Sequence, residues 1–365
     1  MKKFIAGAIS AVLVTQSVFL CASCGKKDPS NYPVPELVGT TINVFNWGEY
    51  ISDGSDGSLD VNAEFEKKYG IKVNYTNYDS NETMYTKLIS DAVSYDIIIP
   101  SDYMIQRLIN EDKLREIDMS KITNYGNIDE KYKNLYFDEE NKYSVPYSVG
   151  MVGMIYNKTM VEEAPDSWSV MWDERYKDNI LTFNNPRDAF AIAQLLLGQS
   201  LNTTDTADWD AAKDKLLEQN NVLQARVMDE VFNKMEGGNA AIAPYYAGDF
   251  FTMKEINDDL EFVYPKEGVN IFVDSMCIPK SSQNYEAALL YINFMLETDI
   301  ATANAEYICY ASPNTTVVNN DNYSLKGNEV LYPSEENMPK TEYFHDLPVE
   351  VRSYYEKLWE EVVKG

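Results

Sequence analysis

Short continuous apolar runs alternate along this chain with stretches of helical spacing. TINVFNWG (41–48) reads as a buried strand. Over 59–69, Leu59, Ala63 and Phe65 are apolar while Glu64, Glu66, Lys67 and Lys68 are polar, and Gly70 is placed to end that helix. IKVNYTNY (71–78) predicts the next strand, 82–90 a helix, YDIIIPSD (95–102) a continuous apolar strand and 104–110 another helix. Apolar runs of this kind fit a parallel sheet covered on both faces, and the βαβαβα order predicts an open α/β domain. A second set begins near Pro146. It comprises a strand at 151–157, a helix at 167–176, a strand at 179–185, an apolar helix at 188–200 and an amphipathic helix at 211–220. A strand and helix follow within 236–253. NIFVDSMCIP (270–279) is a strand that can return the chain to the first domain, followed by a helix at 285–297. The tail, 349–364, is strongly amphipathic, with Val351, Tyr354, Tyr355, Leu358, Trp359 and Val362 near one face.

The first residues do not belong to this alternation. Lys2 and Lys3 precede an apolar stretch over 4–20, which has signal length and falls short of a comfortable membrane span. Ala22-Ser23-Cys24 then resembles the lipobox of bacterial lipoproteins, with Cys21 where a leucine is usual. The expectation is a signal peptide over 1–23 and lipid on Cys24. Read as an ordinary cleaved signal, the same segment still places the protein outside the cytoplasmic membrane. Residues 24–40 are polar and carry Pro29, Pro33 and Pro35, as a tether would.

Composition narrows the function. The net charge of −27 repels nucleic acid and attracts cations. Beyond Cys21 and Cys24 there are two cysteines, Cys277 and Cys309, both in apolar runs, and the one histidine is His345. A zinc site and a conventional Ser-His-Asp arrangement have almost nothing to be built from. Neither a phosphate-cradling glycine loop nor a metalloprotease motif is present. The reading is therefore a binding protein, with no catalytic residue, metal or cofactor.

Several of the 27 tyrosines and 5 tryptophans fall where strands end. Trp47, Tyr103, Tyr245, Phe272 and Tyr310 occupy such places, and Asp102, Asp188 and Asp274 share the same loops. Open α/β sheets bind ligands beyond the carboxyl ends of strands. Rings that pack on methylenes, with carboxylates to meet amine ends, suit an elongated alkylammonium. A sugar or an aminophosphonate on the same scaffold remains an alternative, as, more remotely, does a hydrolase using Asp188 and Asp274. Arg187, the arginine near these loops, counts against an anionic ligand.

FNWGEYI (45–51), YTNYDSNETMYTKL (75–88), YDIIIPSDYMIQRL (95–108), KYSVPYSVGMVGMIYN (142–157), YPKEGVNIFVDSMCIP (264–279) and YASPN (310–314) closely resemble the extracytoplasmic spermidine/putrescine-binding proteins of polyamine ABC importers. The resemblance runs from about Thr41 to the C-terminal helix. It implies a two-lobed type II periplasmic-binding-protein fold, with the ligand held in a cleft between lobes that close by a hinge. The chain's double crossing, near Pro146 and Asp274, sets the expected lobes at 41–147 plus 275–312 and 148–274 plus 313–365. Expected partners are a polyamine, an ABC permease and its ATPase, and the membrane through the N-terminal lipid only. A monomer is expected. Family contacts carry over to Trp47, Tyr50, Ser101, Tyr103, Asp188, Asp274 and Tyr310. Five positions depart from the pattern. Asn185 replaces an acid, Gly48 a threonine, Tyr245 and Phe272 tryptophans, and Phe344 a glutamine. One carboxylate fewer leans the expected preference toward the diamine putrescine over spermidine, since three amines need more countercharge than two.

Overall fold

Capping residues explain where the first helices begin. The Asp60 side chain accepts from Ala63 N at the start of α1 (Val61–Tyr69), and Gly70, in the left-handed region at φ 70°, closes it. Ser80 does the same for α2 (Asn81–Ile89) through Thr83 N. Asn185 caps α4 (Pro186–Leu196) through Asp188 N, with Pro186 at the first helical position. The computed structural model describes residues 28–90 and 92–365. The expected signal segment and Cys24 lie outside them.

The strands are β1 (Thr41–Trp47), β2 (Lys72–Tyr78), β3 (Ile97–Ile98), β4 (Ser144–Asn157), β5 (Ile180–Phe183), β6 (Leu223–Val227), β7 (Ile242–Tyr246), β8 (Leu260–Val263), β9 (Val269–Cys277) and β10 (Thr341–Glu342). The other helices are α3 (Asp102–Asn110), α5 (Thr206–Gln219), α6 (Glu230–Glu236), α7 (Ala247–Ile256), α8 (Tyr285–Met295), α9 (Thr298–Ile308), α10 (Thr315–Val318) and α11 (Val349–Lys364). The sheet runs β2-β1-β3-β9-β4-β7-β5-β6, with β8 on β4 and β10 on β9. Its two ends are parallel, β1 with β2 and β3, and β5 with β6 and β7. Its middle is antiparallel: β9 pairs with β3 and with β4, and β4 with β7 and β8. The expected parallel sheet is thus found for β1, β2 and β3, while the second half is mixed, with β4 antiparallel to β7 and β8.

β4 and β9 make that join. Their register runs from Ser144–Cys277 to Met151–Ile271, broken by a bulge between Pro146 and Ser148. A bulge at a proline is a natural place for a strand to bend. The C-terminal half of β4 continues into the second half of the molecule, where Val152–Tyr156 pairs with 242–246. One core cluster, including Ile42, Val44, Phe65, Ile97, Tyr291 and Phe294, lies under α1 and α8. A larger one holds Trp168, Phe183, Phe190 and Trp209 and extends to Phe45, Met84 and Ile105.

Several elements depart from the sequence expectation. The segment 167–176 forms two 3-10 turns, Trp168–Trp172 and Glu174–Tyr176, where a helix is predicted. Trp168 is buried there, and its indole N–H donates to Gly268 O at 2.8 Å, so a tertiary contact fixes the local path. The long strand expected at 95–102 reduces to Ile97–Ile98, and α3 already begins at Asp102. Pro29–Asn31 and Pro35–Leu37, within the expected tether, form 3-10 turns, and Val34 and Leu37 pack on the first core cluster. Cys277 and Cys309 are both free and buried. No helix among the described residues is long and apolar enough to cross a membrane.

Candidate ligand-binding cleft

A cavity of about 800 Å³ lies between the halves, at the carboxyl ends of β1 and β7 and beside β9. All twelve positions singled out from sequence line it: Trp47, Gly48, Tyr50, Ser101, Tyr103, Asn185, Asp188, Tyr245, Phe272, Asp274, Tyr310 and Phe344.

The first half contributes the β1 end and the α3 start. Trp47 donates its indole N–H to Ile99 O at 2.9 Å and leans on the Tyr78 ring. Gly48 continues the same loop. The Tyr50 hydroxyl donates to Asp274 Oδ2 at 2.7 Å. Ser101 is held by Asn81, whose Nδ2 donates to its Oγ, and its backbone bridges to Asp274. Tyr103 donates to Glu82 Oε1 at 3.0 Å and meets Phe344 edge to face at 6.0 Å.

The second half contributes the β5 and β7 ends. Asn185 caps α4 and donates through Nδ2 to Asp188 Oδ2 at 2.7 Å. That same oxygen accepts from the Tyr246 hydroxyl at 2.7 Å. Phe272 stands edge-on to Tyr246 at 5.6 Å. From the first half, just after α9, Tyr310 reaches across to donate to Asp249 Oδ2 at 3.0 Å and meets Tyr50 edge to face at 5.2 Å.

Burial dominates the electrostatics. Asp274 is 3% exposed, and its Oδ1 has no hydrogen-bond partner among the described residues. Burial pushes its carboxyl up to about 6, opposed by the Tyr50 hydroxyl. Burial pushes Asp249 up to about 7, with Asp229 nearby adding to the rise. Asp188 and Glu82 are raised for the same first reason; Asn185 and Tyr246 work against it at Asp188. A cleft whose acids resist ionisation while empty is a cleft that gains by taking up a cation.

Sequence reasoning missed several lining residues. Tyr246, one place after the chosen Tyr245, carries the hydroxyl that reaches Asp188. Tyr245 is 2% exposed and stacks on Phe183 at 5.6 Å, so it is as much core as wall. Asp249 and Glu82 were legible as acids at a strand end and in the SNETMY segment. They add carboxylates to the lining, so Asn185 in place of an acid still leaves Glu82, Asp188, Asp249 and Asp274 in the cleft. Arg187 also lines the cavity, donates to Asn202 Oδ1 at 3.0 Å and lies 4.5 Å from the Phe344 ring centre.

The sequence matches the bacterial extracellular solute-binding protein family over residues 61–329. It is 33% identical over 328 residues to the spermidine/putrescine-binding periplasmic protein of Escherichia coli, covering 89% of this chain and 92% of that one. The putrescine-binding periplasmic protein PotF of the same organism is 27% identical over 352 residues, 91% of this chain and 90% of its own. Among solved structures, the spermidine/putrescine ABC transporter substrate-binding protein PotD of Streptococcus pneumoniae has a TM-score of 0.76 at 35% identity, over 89% of this chain and 99% of that one. The Tp0655 (TpPotD) lipoprotein of Treponema pallidum has a TM-score of 0.78 at 25% identity, over 88% and 99%. These neighbours share the two-lobed type II architecture, and the family match takes in both halves and the two strands that join them. The chain belongs to the bacterial extracellular solute-binding protein family.

Proposed function

We propose that this protein captures a polyamine, putrescine or spermidine, outside the cytoplasmic membrane and delivers it to an ABC permease and its ATPase. One observation carries the reading: carboxylates and aromatic rings from both halves line one cavity. Glu82 would meet an ammonium group from the first lobe, and Asp188, Asp249 and Asp274 from the second. Trp47, Tyr246, Phe272 and Tyr310 would pack on the methylenes between. The names of the relatives support the ligand class. Catalysis is not part of the reading. Asp188 and Asp274, the pair a hydrolase would use, each accept from a tyrosine hydroxyl, which suits a fixed carboxylate.

The lobes are taken as 41–147 plus 275–312 and 148–274 plus 313–365, with β4 and β9 as the hinge strands and a monomer as the working unit. α11 packing on α5 favours placing the tail in the second lobe. Anchoring through lipid on Cys24 completes the proposal. Mass spectrometry of the mature N-terminus should show a diacylglyceryl cysteine at that position.

Calorimetry against putrescine, spermidine, a sugar panel and amino acids tests the ligand class. Saturable one-to-one binding of a polyamine, with no heat from sugars, is expected. Sugar or amino-acid binding without polyamine binding would sink it.

A further inference from the structure

Tyr310 is held from several sides. The residue before it, Cys309, takes a left-handed φ of 57° and ends α9. The residue after it, Ala311, accepts from Val149 N at 2.9 Å in the hinge strand β4. Its backbone therefore has little freedom to retreat. Its ring faces Tyr50 at 5.2 Å and Phe272 at 6.3 Å, and its hydroxyl donates to Asp249. The remaining side of the ring lies on Gly248, the second residue of α7. A Cβ built on Gly248 would stand 2.0 Å from Tyr310 Cδ2, 2.2 Å from Cε2 and 2.6 Å from Cγ. Ordinary contact begins near 3.4 Å. A methyl group there must push the ring by more than an ångström. Asp249 is the next residue along α7, so the same backbone that seats the ring also aims the carboxylate at its hydroxyl.

We propose that Gly248 is a positioning residue for the ligand: its missing side chain lets the Tyr310 ring lie on the α7 backbone, which keeps the cleft open to its full width and the hydroxyl on Asp249. The proposal rests on the ligand reading above and adds a residue that touches no ligand. It also places a lobe-to-lobe contact at this spot, since Tyr310 follows α9 and Gly248 opens α7. Gly150 shows the same device beneath Phe272, where a Cβ would stand 2.2 Å from Cζ.

The test uses the full chain in four forms: parent, Gly248→Ala, Tyr310→Ala, and both together. Putrescine and spermidine affinities are measured by calorimetry, and unliganded melting temperatures by circular dichroism. Gly248→Ala should weaken binding of both polyamines at least tenfold. In the Tyr310→Ala background the same change should alter affinity by less than twofold, because the clashing ring is gone. An alanine at 248 that merely strained α7 would be equally harmful in both backgrounds, and that result overturns the proposal. So does parent-like affinity in Gly248→Ala. If Gly248→Ala does not fold, a folded double variant supports the seat and an unfolded one refutes it. A parent that binds neither polyamine overturns the ligand reading and the affinity claim with it. The melting temperatures of the four proteins then show separately whether the glycine seats the ring.

Discussion

Replacing Asp274 with asparagine should weaken ligand binding and at the same time stabilise the empty protein. The carboxylate is 3% exposed, one oxygen is unpartnered among the described residues, and burial lifts its pKa from 3.8 to about 6. A folded-state pKa raised above the unfolded value means that the folded form holds the extra proton. The stability this contributes is complete below about pH 4 and is lost as pH rises through 6. Each tenfold change in proton affinity is worth about 1.36 kcal/mol, so at pH 8 the ionised group in an empty cleft destabilises the fold by up to about 3 kcal/mol. Asparagine keeps an acceptor for the Tyr50 hydroxyl and carries no charge, so the unliganded variant should melt higher than the parent at pH 8 and equal to it near pH 4. Binding moves the other way. Loss of a charge-assisted hydrogen bond to an ammonium should weaken putrescine by about 1.5–3 kcal/mol. Urea or thermal melts at the two pH values, with calorimetry at pH 8, measure both arms. Affinity within twofold of the parent, or an empty variant less stable than the parent at pH 8, would refute the assignment of Asp274 as the buried ligand carboxylate.

Polyamine affinity should rise between pH 5.5 and 8 and then level off, because Asp274 near 6 and Asp249 near 7 must lose their protons to pair with ammonium; a flat titration profile would show that neither pairs. Tyr246→Phe should keep the melting temperature and cost severalfold in affinity, whereas Tyr245→Ala should lower the melting temperature by removing a ring stacked on Phe183. Equal behaviour of the two would mean that strand β7 presents them differently. Saturating putrescine should reduce the radius of gyration in small-angle scattering as the lobes close; an unchanged profile with binding confirmed would show a cleft already closed when empty.

Much of this architecture is legible in the sequence, and the failures have physical causes. β1 and β2 announce themselves as short apolar runs, α11 by its apolar face, and α1 and α2 by helical spacing with Asp60, Gly70 and Ser80 marking their ends. β6 does not: LQARV is only partly buried, so the strand carries little hydrophobic signal. α9, TDIATANAEYI, escapes a sequence reading although Ile300, Ala301, Ala305 and Ile308 lie on one face, because its small alanines and the buried polar Asn304 make that face faint. β4 begins at Ser144, seven residues ahead of the predicted start, since Pro146 and the bulge beside it look like a turn when read locally. At the cleft, placing aromatics and acids at strand ends gathered the right loops. Which of two adjacent tyrosines carries the hydroxyl that reaches Asp188 depends on sheet register and twist, and local sequence does not record those.

The last helix has a kinetic consequence. In α11, Tyr355 stacks on Trp209 at 4.8 Å and meets Phe190 at 6.4 Å, rings made some 150 residues earlier. Asn220 also donates to Val362 O at 3.1 Å. During synthesis, α4 and α5 are therefore complete long before their cover exists, and their apolar faces stay open until the final turn of α11 emerges. A chain made from one end to the other cannot finish this half early.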